Sequence, residues 1–291
     1  MLTKEEFLSA LGNGPWLLDG ATGSNLLKAG MPKAVSTEDW VLRNPEVLMN
    51  LQRGYAEAGT KIIYAPTFQA QPIALEKIGL DKHCEAINAK LIALSRSAAP
   101  GCLVAGDIAT LCAYCDSWDP DNFDLMVENY RTQIRGLIDG GADLLVGETL
   151  MYPQEAEAIF TAAAMEGDIA TMISFTMQSG GYLYSGMDAG PLMGQLEDWG
   201  AAAVGFNCVA ADEMTPHLVS KLRRFTKLPI LCKPNAGMPT INDQGQAQYD
   251  MEPEPFAKII TACRENGASL LGGCCGTEPR HIAAAREALG I

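Results

Sequence analysis

The feature that most constrains the fold of this chain is a regular alternation. Short apolar runs recur along it: WLLDG (16–20), KIIYAPTF (61–68), CLVAGDIA (102–109), ADLLVGET (142–149), IATMISFT (169–176), AAAVGFNC (201–208), LPILCKPN (228–235) and ASLLGGCC (268–275). Unbroken hydrophobicity over so short a span suits a strand covered on both faces, as in a parallel sheet. Longer stretches with helical spacing lie between the runs. In residues 44–59, Val47, Leu48, Leu51, Tyr55 and Ala58 fall close to a 3.6-residue period. Residues 121–141 open on a cap-like Asp121 and end at glycines, and 153–167, 212–226, 254–267 and 279–290 repeat that scheme. Residues 188–200 give a shorter helix. Eight strand–helix alternations in about 250 residues predict a (β/α)8 TIM barrel, a single α/β domain. An open doubly wound sheet shares the local pattern, but no GxGxxG follows the first strand and no composition break marks a second domain. We expect one barrel over residues 1–291 with a short N-terminal helix at about 3–12, opened by a Thr3/Glu6 capping box and stopped by Gly12.

Charge narrows the partners. A formal charge of −14 and a pI near 4.6 argue against nucleic acid or an anionic membrane. Charges interrupt MLTKEEFLSALGNG before any apolar core, so it does not read as a signal peptide, and no uncharged apolar run is long enough for a membrane span. Nine cysteines, an odd number, fit a reducing compartment better than a disulfide framework. A soluble, cytoplasmic protein is expected.

Polar residues close seven of the eight runs: Asp19, Thr67, Asp107, Glu148, Asn207 with Cys208, Asn235, and Cys274 with Cys275. One such residue is commonly a turn former, but strand ends of a closed barrel converge on one rim, where barrel enzymes place their chemistry. Convergence would bring Cys208 to the vicinal pair Cys274–Cys275. Neighbours on a regular strand point to opposite faces, so the pair can share a target only where glycine lets the backbone leave strand geometry. Three thiols at a rim suggest a soft metal, zinc first, with three protein ligands leaving a position open. The competing reading is three buried cysteines acting as small hydrophobes. Cys112-Ala-Tyr-Cys115 has no second CxxC to complete a metal site and follows a strand rather than opening a helix, so a loop-local role is expected. His83, His217 and His281 fall within helical stretches and read as surface or packing residues.

DGATGSNL (19–26), PTF (66–68), GDI (106–108), GET (147–149), GFNC (205–208), KPNAG (233–237) and GGCCGTEPRHI (272–282) resemble the homocysteine S-methyltransferase family from about residue 10 to 290, most of all the homocysteine-binding barrel of cobalamin-dependent methionine synthase. That resemblance implies zinc on Cys208, Cys274 and Cys275, with homocysteine sulfur in the remaining position. It also implies Asp19 and Glu148 facing the substrate ammonium, the N–H groups of Gly20 and Ala21 meeting its carboxylate, and Thr67 and Asn235 shaping the pocket. A metal-bound thiol loses its proton, and the thiolate is the nucleophile.

After GDI the chain reads ATLCAYCDSWDP where the family often has a Gly/Pro-rich loop, which bears on the methyl donor. The chain ends at the barrel, so the expected donor is methylcobalamin on a separate corrinoid protein or on separate folate and cobalamin modules. S-methylmethionine, betaine or another small donor is the enzymatic alternative. A non-catalytic zinc- or homocysteine-binding subunit is the alternative from another class. A zinc hydrolase would need an activated water and a base such as Glu148, to which an all-thiolate site is poorly suited.

Overall fold

A computed structural model of the chain describes residues 1–178, 180–242 and 247–291. Eight parallel strands form its centre: β1 (Trp16–Leu17), β2 (Ile62–Tyr64), β3 (Leu103–Ala109), β4 (Leu144–Leu150), β5 (Thr171–Phe175), β6 (Ala203–Ala210), β7 (Ile230–Asn235) and β8 (Ala268–Leu271). They pair in the order β1-β8-β7-β6-β5-β4-β3-β2. The circle closes where Leu18 bridges Ile62 and the Lys61 N–H donates to the Leu17 carbonyl at 2.7 Å. Helices follow the strands, among them Pro45–Glu57, Phe123–Asp139, Pro153–Glu166, Thr215–Arg223, Pro253–Glu265 and Pro279–Leu289. This is the expected TIM barrel.

Several apolar runs are longer than the ladders they make. Run 61–68 yields only Ile62–Tyr64, because Pro66 has no N–H to give to a ladder. Run 16–20 yields Trp16–Leu17 before the chain turns at Asp19 and Gly20. β8 stops at Leu271, ahead of the paired glycines.

Alternation along the strands sorts the core into two shells. Ile62, Tyr64, Ala105, Leu144, Val146, Met172, Ala203, Leu231 and Leu270 pack together inside the barrel. Ile63, Val104, Leu145, Ile173, Val204, Ile230 and Leu271 belong to the outer shell under the helices. The N-terminal helix, Lys4–Leu11, packs into the inner shell with Phe7 and Leu11, each burial being worth roughly 1.5–3 kcal/mol. Its capping box is formed: the Glu6 N–H donates to Thr3 Oγ1 at 3.2 Å and the Thr3 N–H to Glu6 Oε2 at 2.9 Å. Among the described residues, no helix is long and apolar enough to cross a membrane.

Candidate metal centre

Two residues beyond the apolar inner shell, the same inward-facing ladder turns polar. Asp107 follows Ala105, Glu148 follows Val146, Ser174 follows Met172, Asn207 follows Gly205 and Lys233 follows Leu231. This polar layer lies at the C-terminal ends of the strands, beside a cavity of about 370 Å³. Gly20, Asp107, Glu148, Lys233, Cys208 and Cys274–Cys275 line it, with Glu38, Tyr64 and Phe68.

Local backbone geometry brings the thiols in. Cys208 sits at φ +57°, and the pairing of β6 with β7 slips between Asn207 and Ala210. A left-handed residue within a bulge re-aims its side chain, at a strain cost of order 1–3 kcal/mol for a non-glycine residue. Cys274 and Cys275 lie beyond β8 in a turn: the Thr277 N–H and hydroxyl both donate to the Cys274 carbonyl, at 3.1 and 2.7 Å. Thr277 also accepts from the Ala21 N–H at 3.1 Å, tying the β1 loop to the cysteine turn. Gly20 must be glycine here, since a Cβ would lie 2.6 Å from the Tyr55 hydroxyl and 2.7 Å from Thr277 Oγ1. The outcome is that the Sγ atoms of Cys208, Cys274 and Cys275 all lie within 4.8 Å of one another, as the sequence led us to expect.

The trio is electrostatically uneasy alone. Contact with Cys274, and then burial, pushes the Cys208 thiol up to about 12. Contact with Cys208 pushes Cys275 up to about 11. Crowded sulfurs resist becoming thiolates together unless a cation offsets them. Tetrahedral zinc with Zn–S near 2.3 Å sets its sulfurs about 3.8 Å apart, a spacing this cluster can meet. The donor set therefore fits a thiolate-bound divalent ion.

Asn207 frames the centre. Its Oδ1 accepts from the Thr149 N–H and from Ser174 Oγ, both at 2.9 Å, and its Nδ2 donates to Thr149 Oγ1 at 2.6 Å and lies 3.7 Å from Cys274 Sγ. Thr149, beside Glu148, also sits left-handed, at φ +58°, within the irregular stretch of the β4–β5 pairing.

The remaining expected residues divide. Glu148 lines the cavity. Asp19 is buried outside the lining, accepting from the Tyr64 N–H at 2.7 Å and pairing with Lys233 Nζ at 2.9 Å. Thr67 also lies outside the lining; its hydroxyl donates to the Asp107 carbonyl at 2.8 Å and accepts from the Asp107 N–H at 2.9 Å. Asn235 is buried with Nδ2 4.0 Å from Cys208 Sγ. Gly20 and Ala21 both line the cavity, Ala21 with its N–H committed to Thr277.

Asp107 and Lys233 were given no role in advance. Burial first, then the charge of Glu148, pushes the Asp107 carboxyl well above the usual carboxylate range. Burial would lower Lys233, but Asp19 and Glu148 outweigh it and hold the ammonium well above its ordinary value. Counting by twos from Leu231 would have flagged Lys233 as inward-facing. The histidines stay apart from the thiols: the His281 ring accepts from the Glu278 N–H at 3.0 Å and lies 2.9 Å from the Met251 carbonyl. In the Cys112–Cys115 loop, Cys112 is exposed and Cys115 rests against the Leu111 carbonyl and Ser117.

The family model described as homocysteine S-methyltransferase matches residues 16–289. The homocysteine S-methyltransferase of Escherichia coli is 29% identical over 291 residues, covering 92% of this chain and 93% of that one. The methionine synthase of Mycobacterium tuberculosis is 26% identical over 289 residues, covering 91% of this chain but 24% of its own length. Among solved structures, the metallated form of the homocysteine methyltransferase MmuM from Escherichia coli superposes with a TM-score of 0.82 at 28% identity, covering 97% of this chain and 99% of that one.

Proposed function

The chain belongs to the homocysteine S-methyltransferase family, and on that footing we propose that it converts homocysteine to methionine at a zinc ion held by Cys208, Cys274 and Cys275. The observation that carries this reading is the meeting of those sulfurs at a cavity on the polar end of the barrel. When bound, zinc would supply the loss of the acceptor's thiol proton, leaving sulfur as the nucleophile. A metallated crystal form of the Escherichia coli enzyme supports a metal, and the all-sulfur donor set supports zinc.

The chain's own residues do the rest. Asp107 Oδ1 is buried without a hydrogen-bond partner among the described residues, Glu148 Oε1 makes no hydrogen bond and meets only the Lys233 ammonium, at 3.3 Å, and both side chains face the cavity. Buried carboxylate oxygens of this kind seek a donor, and the substrate ammonium is one. We assign that ammonium to Glu148 and Asp107, with Asp19 supporting them from behind the wall, and the carboxylate to the Gly20 N–H on the β1 turn. Thr67 fixes the Asp107 backbone, and Asn235 lies against Cys208, so both shape the site without touching substrate.

For the donor, methylcobalamin on a separate corrinoid protein is supported by the match to methionine synthase. A small onium donor such as S-methylmethionine is favoured by a different observation: a cavity of about 370 Å³ with Glu38, Asp107 and Glu148 in its wall, in a chain that covers 93% of the Escherichia coli homocysteine S-methyltransferase. Zinc-loaded protein is incubated with homocysteine and, in parallel, methylcobalamin, S-methylmethionine and betaine, and methionine is measured. Methionine from one donor names it. No methionine from any of them, in protein that holds stoichiometric zinc, would overturn the proposal.

A further inference from the structure

The cavity contains a cation that the reading above leaves without a task. Among the described residues lining it, Lys233 carries the only positive charge. Its side chain is 3% exposed, with Nζ 2.9 Å from Asp19 Oδ1, 3.3 Å from Glu148 Oε1 and 3.4 Å from the centre of the Tyr64 ring. A buried ammonium persists only when paired, and this one is held from three sides. The three contacts are not equivalent. Asp19 is pinned by the Tyr64 N–H and lies outside the cavity lining, whereas Glu148 lies in it. Asp19 is thus the anchor, Lys233 the bridge and Glu148 the end that faces substrate. Glu148 also needs holding, because it precedes the left-handed Thr149 where the regular pairing of β4 with β5 is interrupted.

We propose that Lys233 is a positioning residue for the acceptor's amino end: anchored on Asp19, it holds the Glu148 carboxylate at the cavity wall so that Glu148, with Asp107, receives the substrate ammonium. This rests on the assignment of homocysteine to this cavity. The charge pattern is consistent with it. Asp19, Asp107 and Glu148 set three acidic groups around one internal ammonium, and a second ammonium brought by the substrate evens the balance further. Without Lys233, Asp19 and Glu148 face each other as like charges across the space it vacated, and Glu148 turns away.

The test compares two thiols that differ only at the amino group, homocysteine and 4-mercaptobutanoate. Equilibrium binding of each to zinc-loaded protein is measured by calorimetry, with no methyl donor present. In Lys233→Met, homocysteine affinity should fall at least roughly tenfold, while 4-mercaptobutanoate stays within about threefold of the parent protein. Glu148→Gln should show the same selective loss, and combining it with Lys233→Met should add little, since Lys233 acts through Glu148. Equal losses for both thiols in Lys233→Met would show that Lys233 merely supports the fold, and unchanged homocysteine affinity would show that it does nothing for the ammonium; either overturns the proposal. If Lys233→Met does not fold, Lys233→Gln, of similar length and without charge, carries the same comparison. A parent protein that binds neither thiol overturns the homocysteine assignment itself.

Discussion

Asn207→Ala is the most informative single change, because Asn207 joins three strands and the thiol centre through one side chain. Three of its contacts are hydrogen bonds of 2.6–2.9 Å, to the Thr149 N–H, Thr149 Oγ1 and Ser174 Oγ. At about 1 kcal/mol net for each, their loss comes to about 3 kcal/mol. Truncation also orphans the N–H of Thr149, whose φ of +58° persists only while its surroundings hold it, adding about 1–2 kcal/mol. With an unfolding entropy of about 2.1 cal/mol/K per residue over 291 residues, a loss of about 4–5 kcal/mol lowers Tm by about 7–8 °C. Thermal unfolding of the metal-free proteins, followed by circular dichroism, reads this directly. Asn207→Asp is the companion variant. It keeps the two accepted bonds and so should lose less stability, but it sets an anion where the amide lies 3.7 Å from Cys274 Sγ, and should retain less zinc when dialysed against a weak chelator. An alanine variant with Tm within about 1 °C of the parent and full zinc content would refute the reasoning.

The remaining predictions concern other parts of the structure. Cys208→Ser, Cys274→Ser and Cys275→Ser should each abolish stoichiometric zinc while the metal-free proteins keep their far-ultraviolet spectrum, read by atomic absorption and circular dichroism; a serine variant with full zinc content would remove that cysteine from the centre. Gly205→Ala should not yield soluble protein, because its Cβ would lie 1.9 Å from the Leu231 carbonyl oxygen within the sheet, and soluble expression of that variant would contradict the packing. Burial holds His281 below its ordinary pKa of 6.5, so the unfolded chain takes up the proton first and stability falls as pH drops below about 6.5. His281→Gln should flatten that part of the Tm-against-pH curve, and an unchanged slope would remove His281 as its source.

The barrel was legible because eight runs of strand-forming residues leave few alternatives, and the thiol centre because cysteines at the ends of two such runs must meet when the sheet closes. Less legible was what depends on side-chain direction. The family resemblance gives Asp19 a place at the substrate ammonium, but only the structure shows what its carboxylate holds, Lys233 Nζ and the Tyr64 N–H. Lys233 was hidden in the run ILCKPN, where Asn235 was the more conspicuous polar residue. Asp107 stood in view at the end of β3, but only the missing partner at Oδ1 and its place in the cavity wall mark it out. The left-handed backbone at Thr149 and Cys208 left no signal at all, since neither residue is the glycine or asparagine that would announce it.

The sulfurs come from β6 and from the turn after β8, and β7 runs between those two strands. Any divalent ion seated on them would therefore act as a rivet clamped over an intervening stave. Loading and unfolding then become linked quantities: each tenfold rise in free ion above its dissociation constant makes the closed barrel about 1.4 kcal/mol harder to open.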